Sequence, residues 1–217
     1  MKKETILSVL KELKEKSKKR NFSQTVDFTI NLKNIDLKKP ENKIDTFLAL
    51  PKSLGKKLKI CGLVDKEMVN QAKESLDNVV TKDQFQILKK QELKKLAKEY
   101  DFFIAQSTLM VDIAKYFGRV FGPKGKMPNP KSGCVVPPNA NLKLLYEKLQ
   151  KTIRINAKNE ASIKCMVGKD SLSDDDLAEN ILAVYDSVVK SLPNEKGNIS
   201  KILVKLTMSD SLEVKDE

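Results

Sequence analysis

The stretch Phe121-Gly122-Pro123-Lys124-Gly125-Lys126-Met127-Pro128-Asn129-Pro130-Lys131-Ser132-Gly133 gathers residue types able to hold a phosphate. Its glycines and prolines set backbone direction, and Lys124, Lys126 and Lys131 crowd three cations into one short segment. Spacing excludes a nucleotide-binding phosphate loop. That loop needs two glycines separated by four residues, then Lys-Ser/Thr, between a strand and a helix. Here Gly122 and Gly125 are too close, Met127 replaces the hydroxyl, and a helical pattern precedes the loop. Two readings remain: a rigid basic loop laid against nucleic-acid phosphates, and a long surface connection.

Other segments carry less. Asp174-Asp175-Asp176 could suggest cation binding, but an acidic first turn behind a Ser173 cap explains it, because carboxylates favour the positive end of a helix. Glu92 and Glu99 lie on lysine-rich helical faces of the solvated kind. Cys61, Cys134 and Cys165 fit no zinc-ligand spacing, there is no histidine, and nucleophilic catalysis lacks its ordinary parts. The cysteines read as small buried hydrophobes, and the expectation is a chain with no metal, no cofactor and no enzymatic activity. Two basic or hydroxyl-rich segments remain. Lys18-Lys19-Arg20-Asn21-Phe22-Ser23-Gln24-Thr25 joins cations, an aromatic and hydroxyls at a strand start, and Lys205-Leu206-Thr207-Met208-Ser209-Asp210-Ser211 ends a strand in small polar residues. Aromatics beside cations suit stacking and phosphate pairing in RNA sites, although Phe22 reads equally well as a core residue.

The elements that must position these residues follow from periodicity. Ile6, Val9, Leu10 and Leu13 make residues 1–18 an amphipathic helix, and Val26, Phe28, Ile30 and Leu32 put one face of a strand over residues 22–32 indoors. A polar loop over 36–42, with Pro40, leads to a second strand at 44–50. From Leu58 strands and helices alternate. A strand at 58–64, a helix from an Asp65 cap to about Leu76 and a short strand at Val79-Val80 come first. A helix opened by the capping box Thr81-x-x-Gln84 then runs to about Glu99, followed by a strand at 102–105 and a helix at 108–117. The loop spans Gly118 to Pro138, with a helix at about 141–152 beyond it. Strands at 153–156 and 161–167 are expected to pair as a hairpin across Ala157-Lys158-Asn159. A helix capped by Ser173 and a closing strand at 201–208 complete the chain.

Neither end has a comfortable core alone. Joining them predicts an α+β discontinuous two-layer domain, 1–57 with 153–217, interrupted by an inserted α/β Rossmann-like domain, 58–152. Charge points to the partner: 41 Lys+Arg against 29 Asp+Glu leave the 217-residue chain at +12, which favours polyphosphate backbones. With arginine only at 20, 119 and 154, contacts should be mainly lysine to phosphate rather than bidentate base reading. No apolar run approaches the ~20 residues that span a bilayer, and Glu4 and Glu12 interrupt any secretory signal, so a cytosolic protein with no membrane partner is expected.

Three stretches together resemble the ribosomal protein L-one family, which forms the mobile stalk beside the tRNA exit site: GPKGKMPNPKSG, NFSQTVDFTINLKNIDLKKPENKID and KLTMS. The resemblance runs along the whole chain, and the opening segment looks like the archaeal and eukaryotic branch. It implies two domains, the first built from both chain ends and the second inserted. It also implies large-subunit rRNA as main partner, with the chain's own mRNA and exit-site tRNA as further ones, a repressor role, a ribosomal cytoplasmic location and a monomer off the ribosome. Phe22 and Thr25 match the family's RNA-facing positions at the first strand, and Thr207 and Met208 match its Thr-Met pair. Ser209 stands where the family usually has glycine, and Asn31 where bacterial members carry a lysine, with Lys33 nearby. Arg20, Lys164, Lys169 and Lys205 are additional expected contacts, and Lys124, Lys126 and Lys131 a weaker contact from the second domain. Two readings of other classes stand beside this one. An enzyme using the middle as a nucleotide site is opposed by the lack of G-x-G-x-x-G after residues 58–64, where Cys61-Gly62-Leu63 lies within the strand. The other reading is a DNA-binding chromatin-type protein.

Overall fold

Along the chain the elements run α1 (Lys3–Lys16), β1 (Thr25–Leu32), β2 (Ile44–Ala49), β3 (Ile60–Val64), α2 (Val69–Ser75), β4 (Asn78–Thr81), α3 (Lys82–Phe85), α4 (Lys90–Glu99) and β5 (Phe102–Gln106). They continue with α5 (Met110–Phe121), β6 (Val135–Val136), α6 (Leu142–Leu149), β7 (Thr152–Ala157), β8 (Ser162–Lys169), α7 (Asp174–Ser191), β9 (Ile199–Leu206) and β10 (Leu212–Glu213). The computed structural model describes residues 1–215 apart from Lys19, Leu37, Lys38, Pro40, Glu41 and Asn159. Part of the basic run before Phe22, most of the loop expected over 36–42 and the last residue of the turn expected at 157–159 therefore lie outside the described residues. The chain divides into two compact units, Met1–Lys56 with Lys151–Glu217, and Lys57–Gln150.

In the first unit, alternation along β1 buries Val26, Phe28, Ile30 and Leu32 and leaves Thr25, Asp27, Thr29 and Asn31 half-buried on the opposite face. β1 is an inner strand of an antiparallel sheet ordered β10-β9-β1-β8. Phe28 lies opposite both Cys165 and Val204, so the apolar rows of three strands share one face. Ile6, Leu10 and Leu13 of α1 are buried, contributing about 1.5–3 kcal/mol each. α7 buries Leu177, Ile181, Val184, Tyr185 and Val188, and Ser173 accepts the Asp176 N–H as its cap. The acidic first turn of α7 is met by lysines from earlier in the chain: Lys3 on Asp175 (3.1 Å), Lys14 on Asp174 and Lys52 on Asp176 (3.1 Å). The aspartate run is thus a docking point for α1. β2 and β7 form a separate two-stranded antiparallel sheet, clamped by a two-pronged Arg154–Asp45 pair (2.7 and 3.0 Å) and by Lys158.

In the second unit, β4-β3-β5-β6 make a parallel sheet. All five residues of β3 are buried, as expected of an inner strand covered on both sides. Cys61 and Leu63 face a core with Phe85, Leu93, Phe117 and Phe121 from α3, α4 and α5, while Ile60 and Val64 face Ala72, Leu142 and Leu149 from α2 and α6. A Cβ on Gly62 would lie 2.7 Å from Leu76 Cδ1, so the glycine inside β3 admits the end of α2. The described chain is a mixed α/β protein with one parallel and two antiparallel sheets.

Four local expectations are corrected. The helix opened by Thr81 and Gln84 lasts one turn, and Glu92 Oε2 takes the Lys89 N–H at 2.8 Å to start α4 afresh, because a second local acceptor competes with continuation. α5 runs on through Gly118 to Phe121, since burial of Val120 and Phe121 outweighs the glycine penalty. The loop expected up to Pro138 contains β6, paired through Val135 with Ala105 and Val136 with Gln106, a contact distant in sequence and invisible to local pattern. Finally, β7 and β8 are not a hairpin: β7 pairs with β2 and β8 with β1. Each strand instead sets its apolar row against a partner far away in sequence: Ile153 lies opposite Leu48, and Ile163 opposite Ile30.

Candidate nucleic-acid interface

The outward face of the first unit's main sheet is set by register. Thr25 lies opposite Lys169, Asp27 between Met166 and Lys205, Thr29 between Lys164 and Leu203, and Asn31 between Ser162 and Lys201. Three lysines on β8 and β9, namely Lys164, Lys201 and Lys205, thus line this face, with Lys169 ending β8. Lys164 is held by Glu160 at 2.7 Å, and Asn31 accepts the Ser162 hydroxyl at 3.0 Å. Burial pushes the Asp27 carboxyl above its ordinary value, and Lys205 opposes that rise.

At the N-terminal end of β1 the chain segments lock together. Thr207, just past β9, accepts the Thr25 N–H on its hydroxyl (2.9 Å) and donates back to the Thr25 carbonyl (3.4 Å). Gln24 is buried and accepts the Met208 N–H at 3.1 Å, while its own carbonyl takes the Asp170 N–H at 3.0 Å. Lys169 donates to the Ser23 carbonyl (3.0 Å) and Ser23 to Asp170 (2.6 Å). Burial works against the Asp170 carboxylate, but the Ser23 and Gln24 bonds together with the charges of Lys169 and Lys14 outweigh it and hold the group below its ordinary value. The result is a joint where Thr25, Lys169, Thr207, Met208 and Ser209 converge, with Phe22 next in the chain to the Ser23 that Lys169 holds. Phe22 is 52% and Met208 60% exposed, which removes the core reading of Phe22. An open aromatic and an adaptable thioether beside cations can stack on bases and pair with phosphates.

Two details amend expectation. The Thr207 hydroxyl, matched above only to the family's Thr-Met pair, also bridges two chain ends through backbone groups. Ser209 adopts no left-handed backbone, and its hydroxyl accepts the Leu206 N–H at 2.9 Å, so a side chain is accommodated at the position where the resemblance implied a glycine. Gln24 was missed by sequence reasoning. The signal was present: the phase of Val26 and Phe28 puts residue 24 on the buried face, where an amide must find partners.

Not every expected residue joins this cluster. Lys33 follows the far end of β1, about 26 Å from Thr25 at strand rise. Arg20 is exposed and lines a cleft with Met208 and Ser209. In the second unit, Lys124 donates to the Lys94 carbonyl (3.3 Å) and Lys126 to the Tyr100 carbonyl, so both are drawn onto α4 and its end. Lys131 is exposed on a turn shaped by Asn129, whose side chain accepts the Lys131 N–H at 2.9 Å. The cysteines are buried, and burial pushes the Cys61 and Cys165 thiols up to about 12, which removes them from nucleophilic chemistry at neutral pH. Among the described residues no group of His, Cys, Asp or Glu could hold a metal ion, and no helix is long and apolar enough to cross a membrane.

The model of the Ribosomal protein L1p/L10e family matches residues 13–210. The chain belongs to this family. Similar proteins include the large ribosomal subunit protein uL1 of Methanocaldococcus jannaschii, 40% identical over all of this chain and 98% of the relative. That of Thermococcus kodakarensis is 38% identical over 96% of each chain, and that of Pyrococcus horikoshii 40% identical over 96% of this chain and 94% of its own. Membership in a family of ribosomal proteins, on its archaeal branch, makes this a structural protein rather than an enzyme. The matched span holds both the strand-end joint and the Gly/Pro-rich loop.

Proposed function

We propose that the protein is a constituent of the large ribosomal subunit that binds the rRNA of the mobile stalk beside the tRNA exit site. It assists release of deacylated tRNA, and it represses its own mRNA by binding a similar RNA structure. It works on the cytoplasmic ribosome and is a monomer off it. In this reading the α+β unit of the two chain ends, 1–57 and 153–217, is the main rRNA-binding domain, and the inserted Rossmann-like domain, 58–152, adds a weaker contact through its basic loop. The observation that carries the reading is the joint at which Phe22, Thr25, Lys169, Thr207 and Met208 meet, with Lys205 and Lys164 on the adjoining face. The lysines supply phosphate attraction, and the exposed Phe22 and Met208 supply contacts that ordinary duplex would not reward. The names of the relatives support the subunit, and the chain's charge of +12 supports a polyanionic partner.

Crosslinking in cells tests this directly. Bound RNA should be large-subunit rRNA from one stalk region, together with one mRNA leader and exit-site tRNA. Recovery dominated by genomic DNA would favour the chromatin reading instead.

A further inference from the structure

A cleft of about 250 Å³ opens beside the strand-end joint, between the end of α1 and the turn joining β9 to β10. Met208 and Leu212 give it apolar walls over the buried Leu13, and Lys16, Lys18 and Arg20 give it a cationic rim. Asp210 lines it too. Lys16 is engaged by Glu12, whereas Lys18, Arg20 and Asp210 have no side-chain partner among the described residues. The carboxylate is the informative group. Beside a surface that attracts phosphates, an unpaired carboxylate only repels the ligand unless it accepts hydrogen bonds from that ligand.

We propose that this cleft takes one unpaired guanine nucleotide of the bound RNA. The volume accommodates a single base. Its face lies on Met208 and Leu212, its phosphate meets Lys18 and Arg20, and Asp210 reads its edge. Guanine presents two adjacent N–H donors on its Watson–Crick edge, which the two oxygens of a carboxylate accept together. Adenine and uracil offer no such pair, so the cleft discriminates among bases while the lysine-rich sheet face does not. This proposal rests on the RNA-binding reading and adds to it a base-specific subsite built by the end of α1.

The test measures affinity of the full chain for a stalk-helix fragment of large-subunit rRNA. It also uses copies of the fragment in which each unpaired guanine is replaced in turn by inosine, which lacks the amino group. One replacement should weaken binding roughly 10- to 150-fold, as loss of a hydrogen bond to a charged acceptor does. Asp210→Asn should weaken binding to the parent fragment to a similar degree, leave the melting temperature unchanged, and show no further loss on that one inosine copy. Lys18→Gln with Arg20→Gln should weaken all copies alike. If Asp210→Asn tightens every complex, the carboxylate merely repels phosphate and the subsite is overturned. Indifference to every inosine replacement overturns it as well, while leaving RNA binding standing. A wild-type chain that binds none of the fragments overturns both readings.

Discussion

The Thr207 hydroxyl offers the sharpest test of how fold and binding share one group. It accepts the Thr25 N–H at 2.9 Å and returns a longer bond to the Thr25 carbonyl, tying the start of β1 to the end of β9. Thr207→Val keeps the shape and removes both bonds. Thr207 is exposed, so water can reach the freed amide, and the loss should be about 0.5–1.5 kcal/mol, the net value of an ordinary hydrogen bond. For a unit of this size that is a fall in Tm of roughly 2–6 °C. RNA affinity should fall as well, about 5- to 20-fold, because Thr25 and Met208 lose their fixed spacing. Thr207→Ser, which keeps the hydroxyl, should restore both properties. A double-mutant cycle with Thr25→Ala distinguishes positioning from direct contact: the affinity losses should be non-additive if the two residues act as one joint. Calorimetry and filter binding on the same five proteins suffice. An unchanged Tm together with strictly additive affinity losses would refute the argument, since it would mean the hydroxyl touches RNA without organising the joint.

Three further outcomes follow from the geometry. Arg154 and Lys158 hold the Asp45 carboxyl down to about 2 from an ordinary 3.8. A folded value below the unfolded one means the stabilisation is present above pH 4 and is lost as pH falls towards 2. At full value the shift is worth about 2.4 kcal/mol, which solvent access brings to about 1. Asp45→Asn should therefore unfold more easily at pH 7 in urea, with the difference vanishing near pH 2. Gly62→Ala should cost no more than about 1 kcal/mol, because the methyl meets only the end of the Leu76 side chain, and Leu76→Ala in the same chain should remove that cost; a loss of several kcal/mol would show that α2 cannot yield. Binding to a stalk-helix RNA should weaken with salt at a log–log slope on the order of −3 to −6, and a slope near zero would show that non-ionic contacts dominate.

Local pattern was enough for much of this protein. The phase of Val26, Phe28, Ile30 and Leu32 determined which face of β1 is buried, and the run from Leu177 to Val188 determined the core face of α7, because strand and helix periods are properties of the backbone alone. The Ser173 cap and the acidic turn behind it were equally legible, since a cap acts within one turn. The strand-end motifs were also visible as motifs, through Phe22, Thr25, Thr207 and Met208. What pattern could not supply was partner choice. Adjacent strands 153–156 and 161–167 suggested a hairpin, but each pairs with a strand distant in sequence, β2 and β1. β6 is two residues long and exists only because β5 offers it an open edge. The same holds for single side chains. Lys124 and Lys126 each donate to a carbonyl at α4 or its end, and the Thr207 hydroxyl meets Thr25 from the other end of the chain, contacts that no local pattern announces. Hydrogen bonds and ion pairs between distant residues depend on distances that only the folded chain brings within reach, whereas periodicity is written in every turn and pleat of the backbone.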